Sequence, residues 1–74
     1  MIELLVQARK DAGVTQLELG KRVGQRQTFV SKFELGERRI DVAEFIEISR
    51  ALGVDPIAII RAAEHRYARD MTGN

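Results

Sequence analysis

Glycine cuts this chain into pieces that suit short helices and little else. Gly13, Gly24, Gly36 and Gly53 each follow a run whose apolar residues recur at helical spacing, and the single proline, Pro56, stands where a helix should begin. From Ile2 the positions Leu5, Val6, Ala8 and Ala12 form one stripe, which Gly13 ends. Thr15-Gln-Leu-Glu18 is a capping-box sequence and predicts a short second helix to Val23. Gly24 breaks the chain, Gln25 and Arg26 continue the turn, and a third helix is expected from Gln27 to Leu35, with Gly36 in the C-terminal cap position. Asp41-Val-Ala-Glu44 is a second capping box, opening a helix through Leu52. Asp55 and Pro56 then supply an N-cap and a first-turn proline for a last helix to Asp70, with residues 71–74 expected to fray. No stretch alternates at a strand period, and the connections are short, about two to six residues. The expectation is an all-α fold, a compact five-helix bundle forming one domain over residues 1–70.

Size and charge narrow the uses of such a bundle. A chain of 74 residues without cysteine has neither disulfides nor a thiolate metal site to hold it. A domain this small buries only about 60% of the surface its unfolded chain exposes. It must pack its helices economically or borrow area from a partner subunit. Phe29, Phe33, Phe45 and Tyr67 are too few for a platform on which single-stranded bases stack. The net charge is only +1, yet it is unevenly spread: residues 1–20 carry −1, residues 21–39 carry +4 and residues 40–74 carry −2. By charge alone, a basic face for a polyanion and a solvated surface fit equally well. No apolar run reaches the roughly 18 residues of a membrane span, and MIELLVQARK lacks the pattern of a secretory signal. A soluble cytoplasmic protein is expected.

Catalytic patterns are not evident. There is no carboxylate pair in an apolar setting, no nucleophile–base arrangement and no phosphate-cradling loop, so an enzyme is not expected. His65, between Glu64 and Arg66, has no partners at ligand spacing, and neither a metal nor a cofactor is predicted.

The informative segment is QLELGKRVGQRQTFVSKFELGERR, Gln16 to Arg39. It reads as two short helices joined by a tight turn at Gly24, where glycine tolerates positive φ. Gly20 lies inside the first of them, at a helix cost of about 1 kcal/mol, and a small residue is needed there because the two helices cross. Leu19, Val23, Val30 and Phe33 fall on the inward faces, leaving the outer face of the second helix free. Thr15-Gln16, Leu19-Gly20, Gly24, Ser31, Glu34 and Gly36 stand at the spacing of a known pattern. The segment resembles the Cro/repressor-like (XRE-type) helix-turn-helix family. Arg9 and Ala51-Leu52-Gly53-Val54-Asp55-Pro56 extend the likeness over roughly residues 2–61.

That resemblance implies a sequence-specific, double-stranded DNA-binding regulator of transcription, most simply a repressor, associated with the nucleoid when bound. A recognition helix in the major groove presents its first turns to base edges. By family resemblance these are Gln27, Thr28 and Lys32, with Ser31 on a neighbouring face. Gln27 suits adenine, Lys32 suits guanine, and the Thr28 methyl suits a thymine methyl. Gln16 at the start of the preceding helix, together with Lys21, Arg26, Arg38 and Arg39, is expected on phosphates, which position without reading sequence. Arg9 and Glu34 are expected to form a structural ion pair bracing the recognition helix, in preference to a phosphate contact by Arg9. Phe29 fits partial core and a contact to sugar or thymine equally. Arg26 departs from the pattern, because it takes a cap position usually held by Ser or Thr and cannot accept a hydrogen bond. That helix start is expected to be looser, or closed by a DNA phosphate.

The last helix runs well beyond the family's core. Ile57, Ile60 and Tyr67 would serve to close the bundle, and Ile59 and Ala63 widen the apolar surface. Readers of palindromic sites are two-fold dimers with half-sites about 34 Å apart. Ile59, Ala63 and Arg66 are therefore the expected homodimer interface, and the alternative that they simply complete the core fits nearly as well. The alternative is an antitoxin-like or antirepressor-style protein-interaction module, in which the C-terminal helix binds another protein. No small-molecule ligand or membrane is expected, and a chain trimmed from a longer regulator would share all these features.

Overall fold

A computed structural model describes the backbone of residues 1–72 and the side chains of residues 1–66. It shows α1 (Ile2–Asp11), α2 (Gln16–Arg22), α3 (Gln27–Glu34), α4 (Val42–Ala51) and α5 (Pro56–Thr72), and no strand among the described residues. The fold is all-α, as the pattern of stops predicts. No helix among these residues is long and apolar enough to cross a membrane.

Local chemistry places most boundaries. Asp41 and Glu44 make a complete capping box: the Glu44 N–H donates to Asp41 Oδ1 at 2.7 Å and the Asp41 N–H donates to Glu44 Oε1 at 3.0 Å. Asp55 Oδ1 accepts the Ile57 N–H at 3.0 Å, while Pro56 has no N–H to satisfy. The box predicted at α2 forms by half. Thr15 Oγ1 accepts the Glu18 N–H at 3.1 Å, but the Glu18 carboxylate lies toward Arg22, 3.4 Å from its Nε. A charged donor one turn on competes with a backbone N–H for the same carboxylate.

The core joins Leu5 of α1, Val14, Leu19 of α2, Val30 and Phe33 of α3, Phe45 and Ile48 of α4, Leu52 and Ile59 of α5. Leu19, Val30 and Phe33 are wholly buried, and Val23 is partly buried against them. Ser49 is buried at no polar cost, because its hydroxyl donates to the Phe45 carbonyl at 2.8 Å.

Several expectations change. Ala12 is exposed: α1 ends at Asp11, and Val14 enters the core instead. The α3–α4 connection, Leu35 to Asp41, is seven residues long, because the Glu37 and Arg38 N–H groups both fold back onto the Lys32 carbonyl. The last helix reaches Thr72, two residues past its expected end; Gly73 and Asn74 lie outside the described residues. On α5 the two apolar faces exchange roles. The helix packs against α1 and α4, and Ile59 goes into the core at 9% exposure, with Pro56 and Ala63 partly buried beside it. Ile57 and Ile60, expected to close the bundle, are 58% and 46% exposed. Ile59 is therefore taken up within the chain and is not free for a dimer contact. Tyr67 and Met71 lie outside the described side chains.

Candidate nucleic-acid interface

The α2–turn–α3 unit is held by backbone contact. Gly24 has φ +70°, which lets the chain turn sharply after α2. At Gly20 a Cβ would stand 2.9 Å from the Gln25 carbonyl oxygen and 3.2 Å from the Arg26 carbonyl carbon. The small residue is thus needed for the turn entering α3, rather than for α3 itself. The Gln25 N–H donates to the Gly20 carbonyl at 2.8 Å, closing that approach.

This packing buries Val30 and Phe33 on one side of α3 and leaves Gln27, Thr28 and Lys32 exposed on the other. Ser31 is partly buried, and its hydroxyl donates to the Thr28 carbonyl at 3.2 Å. Arg26 is the N-cap residue with extended backbone, φ −79° and ψ 159°, and its side chain makes no cap hydrogen bond. Lys21, Arg26 and Arg39 are exposed. Phe29 is partly buried, its ring 5.5 Å from that of Phe33. Beside it lies an open concavity lined by Gly24, Gln25, Arg26, Thr28, Phe29, Lys32 and Arg38. Three cations on an aromatic and backbone floor favour an anion there.

Beneath the interface, Arg9 joins α1 to the end of α3. Its Nε and Nη2 donate to the two Glu34 oxygens at 2.7 and 3.0 Å, and its Nη1 donates to the Val14 carbonyl at 2.9 Å. The side chains are 11% and 8% exposed. Gln16 Nε2 also donates to Glu34, at 3.0 Å, so α2 is tied to the same carboxylate. Burial by itself raises the Glu34 pKa, but the hydrogen bonds from Arg9 and Gln16 and the charges of Arg9 and Lys10 outweigh it. The carboxyl is held below its ordinary 4.5.

Two features escaped the sequence. Arg38, expected on a phosphate, already has partners: Nη1 and Nη2 donate to Glu44 at 3.2 and 3.0 Å, and the guanidinium lies 4.6 Å over the Phe29 ring. The hydrogen bond with Glu44 raises the Arg38 pKa and, with the Asp41 N–H, lowers that of Glu44. In the sequence Glu44 shows only as half of a capping box. Arg22 clasps α2 to the end of α4, its Nη1 donating to the Ala51 carbonyl at 2.9 Å. No local pattern signals that contact, which spans 29 positions.

Comparison with known proteins places the unit. A family model described as helix-turn-helix matches residues 5–59. A solved structure, an XRE-family like protein from Pseudomonas syringae pv. tomato str. DC3000, is 48% identical, with a TM-score of 0.84. The alignment covers 88% of this chain and 79% of that one. The chain belongs to the XRE-type helix-turn-helix family. Such helix-turn-helix proteins are DNA-binding transcriptional regulators, and α2 and α3 form the helix-turn-helix of this chain. No curated protein matches it.

Proposed function

We propose that this XRE-type protein reads a palindromic double-stranded operator as a homodimer and represses transcription by occupying it. The observation that carries this reading is the division of α3 into a wholly buried face, Val30 and Phe33, and an exposed polar face, Gln27, Thr28 and Lys32. A helix braced from behind and polar in front suits the major groove. Gln27 then pairs with adenine, Lys32 donates to guanine O6 or N7, and the Thr28 methyl packs on a thymine methyl. Ser31, bonded to its own helix, keeps a hydroxyl at the margin of that face. Lys21, Arg26 and Arg39 take phosphates, as does the outer edge of Arg38. Gln16 has a second amide hydrogen for the same use, the first being spent on Glu34. A phosphate at Arg26 also faces a helix start that no side chain caps.

The dimer contact moves from Ile59 to the exposed Ile57 and Ile60, one turn apart on the outer side of α5. Arg61 and Glu64 follow on the same side and are exposed. Ala63 is partly buried, and Arg66 lies 3.5 Å from Glu3 of its own chain, so both are peripheral.

Selection from a random duplex library, with the winner titrated at several salt concentrations, tests the reading. An enriched inverted repeat with half-site centres about ten base pairs apart is the expected result. Gln27→Ala or Lys32→Ala then costs about 1–3 kcal/mol at particular bases, whereas Arg39→Ala weakens all sites alike and flattens the salt slope by about one. If nothing is enriched and binding merely weakens with salt, the reading is wrong and α5 becomes the place to seek a protein partner.

A further inference from the structure

Arg38 stands at the rim of the concavity beside α3, with its guanidinium held on several sides. Nη1 and Nη2 donate to Glu44 Oε1 and Oε2, at 3.2 and 3.0 Å, and Nη1 also donates to the Arg39 carbonyl at 2.9 Å. One flat face rests on the Phe29 ring, 4.6 Å from its centroid. Guanidinium has five N–H donors. These bonds occupy the end of the fork and leave Nε–H and one Nη2–H, which share the other edge, without a partner among the described residues. That edge has the geometry for two oxygens of one phosphate.

Glu44 is itself fixed. Its Oε1 accepts the Asp41 N–H at 3.0 Å, closing the α4 capping box, and its side chain is 22% exposed. A line of contacts thus runs from the start of α4 through Glu44 and Arg38 to Phe29 on α3. We propose that Glu44 is a positioning residue for DNA binding, holding Arg38 flat on Phe29 so that its open Nε–Nη2 edge meets a backbone phosphate beside α3. The role rests on the DNA-reading function above and adds to it a residue of the wrong charge to touch DNA.

That charge makes the test sharp. As a mere anion near the interface, Glu44 repels phosphate, and its removal tightens binding to every duplex. As a positioning residue it spares the cost of ordering Arg38 on binding, and its removal weakens the operator complex about three- to tenfold. The experiment measures operator affinity at fixed salt for the full chain, Glu44→Gln, Arg38→Ala and the double variant, with thermal melting of each. Glutamine still offers an oxygen to the Asp41 N–H, so the cap survives. The expected result is weaker binding by Glu44→Gln in the native background and no further weakening once Arg38 is alanine. Arg38→Lys, which keeps the charge but not the fork, should bind nearly as poorly as Arg38→Ala and be insensitive to Glu44→Gln. Equal or tighter operator binding by Glu44→Gln overturns the proposal, as does equal weakening with and without Arg38, which is the signature of lost cap stability. If Glu44→Gln fails to melt cooperatively, Arg38→Lys decides: unimpaired operator affinity overturns the role. A native chain that selects no operator overturns the DNA-reading function and this role together; a selected operator that Glu44→Gln does not weaken overturns this role alone.

Discussion

Glu34 accepts from Arg9 through both oxygens and from Gln16 through one, so three segments of chain meet on one carboxylate. Arg9→Ala leaves that carboxylate with Gln16 alone and strips the Val14 carbonyl of its side-chain donor. The expected loss is about 3 kcal/mol in urea denaturation, since a largely buried charge is left partly unpaired. Arg9→Lys should recover little of it, because an ammonium cannot span both oxygens and the carbonyl. The same carboxylate gives a pH dependence of definite sign. Its folded pKa lies below its unfolded one, so its contribution is present above about pH 4.5 and disappears as pH falls through the folded value. Glu34→Gln should be less stable at neutral pH and lose less stability on acidification. A pair of denaturation series between about pH 2 and pH 7 would give parallel curves if Glu34 carried no such linkage.

At the scale of the element, the α2–α3 unit depends on the close approach of Gly20 to the backbone of Gln25 and Arg26. Backbone cannot swing aside as a flexible side chain can. Gly20→Val adds three carbons against it, and a loss of about 2–3 kcal/mol is expected despite the better helix propensity. Operator affinity should fall beyond what the lost stability explains, because the same turn sets the angle at which α3 leaves the scaffold. A normal melting temperature together with native affinity would show that the turn has room to spare. By contrast Thr15, capping α2 without the reciprocal bond from Glu18, should cost only about 1 kcal/mol when replaced by alanine.

For the whole molecule, the unsettled surface is the outer side of α5. Ile57 and Ile60 contribute little to the monomer's core, being 58% and 46% exposed. Replacing both by aspartate should leave the folded monomer's stability within about 0.5 kcal/mol. It should also abolish the concentration-dependent rise in sedimentation coefficient expected of the native chain and weaken operator binding through loss of the second half-site. Sedimentation of the native chain as a monomer at all concentrations, with and without operator, would remove the two-fold reading.

The elements were legible in the sequence because their signals are local. A capping box, a glycine stop or a proline at a helix start acts within four or five residues, where the chain's own covalent geometry limits the choices. For that reason Asp41–Glu44, Gly24, Gly36 and Asp55–Pro56 mark boundaries that the structure keeps. Family spacing similarly located the exposed face of α3. Tertiary structure decided what depends on partners distant in sequence. Which stripe of α5 turns inward follows from its contacts with α1 and α4, so Ile59 displaced Ile57 and Ile60 from the core. Arg38 and Glu44 meet only once the α3–α4 connection folds back on Lys32, and only then does an arginine anticipated as a bare cation acquire a fixed orientation. A charge's sign can be read from its letter; which of its edges remains free depends on the neighbours that the fold brings to it.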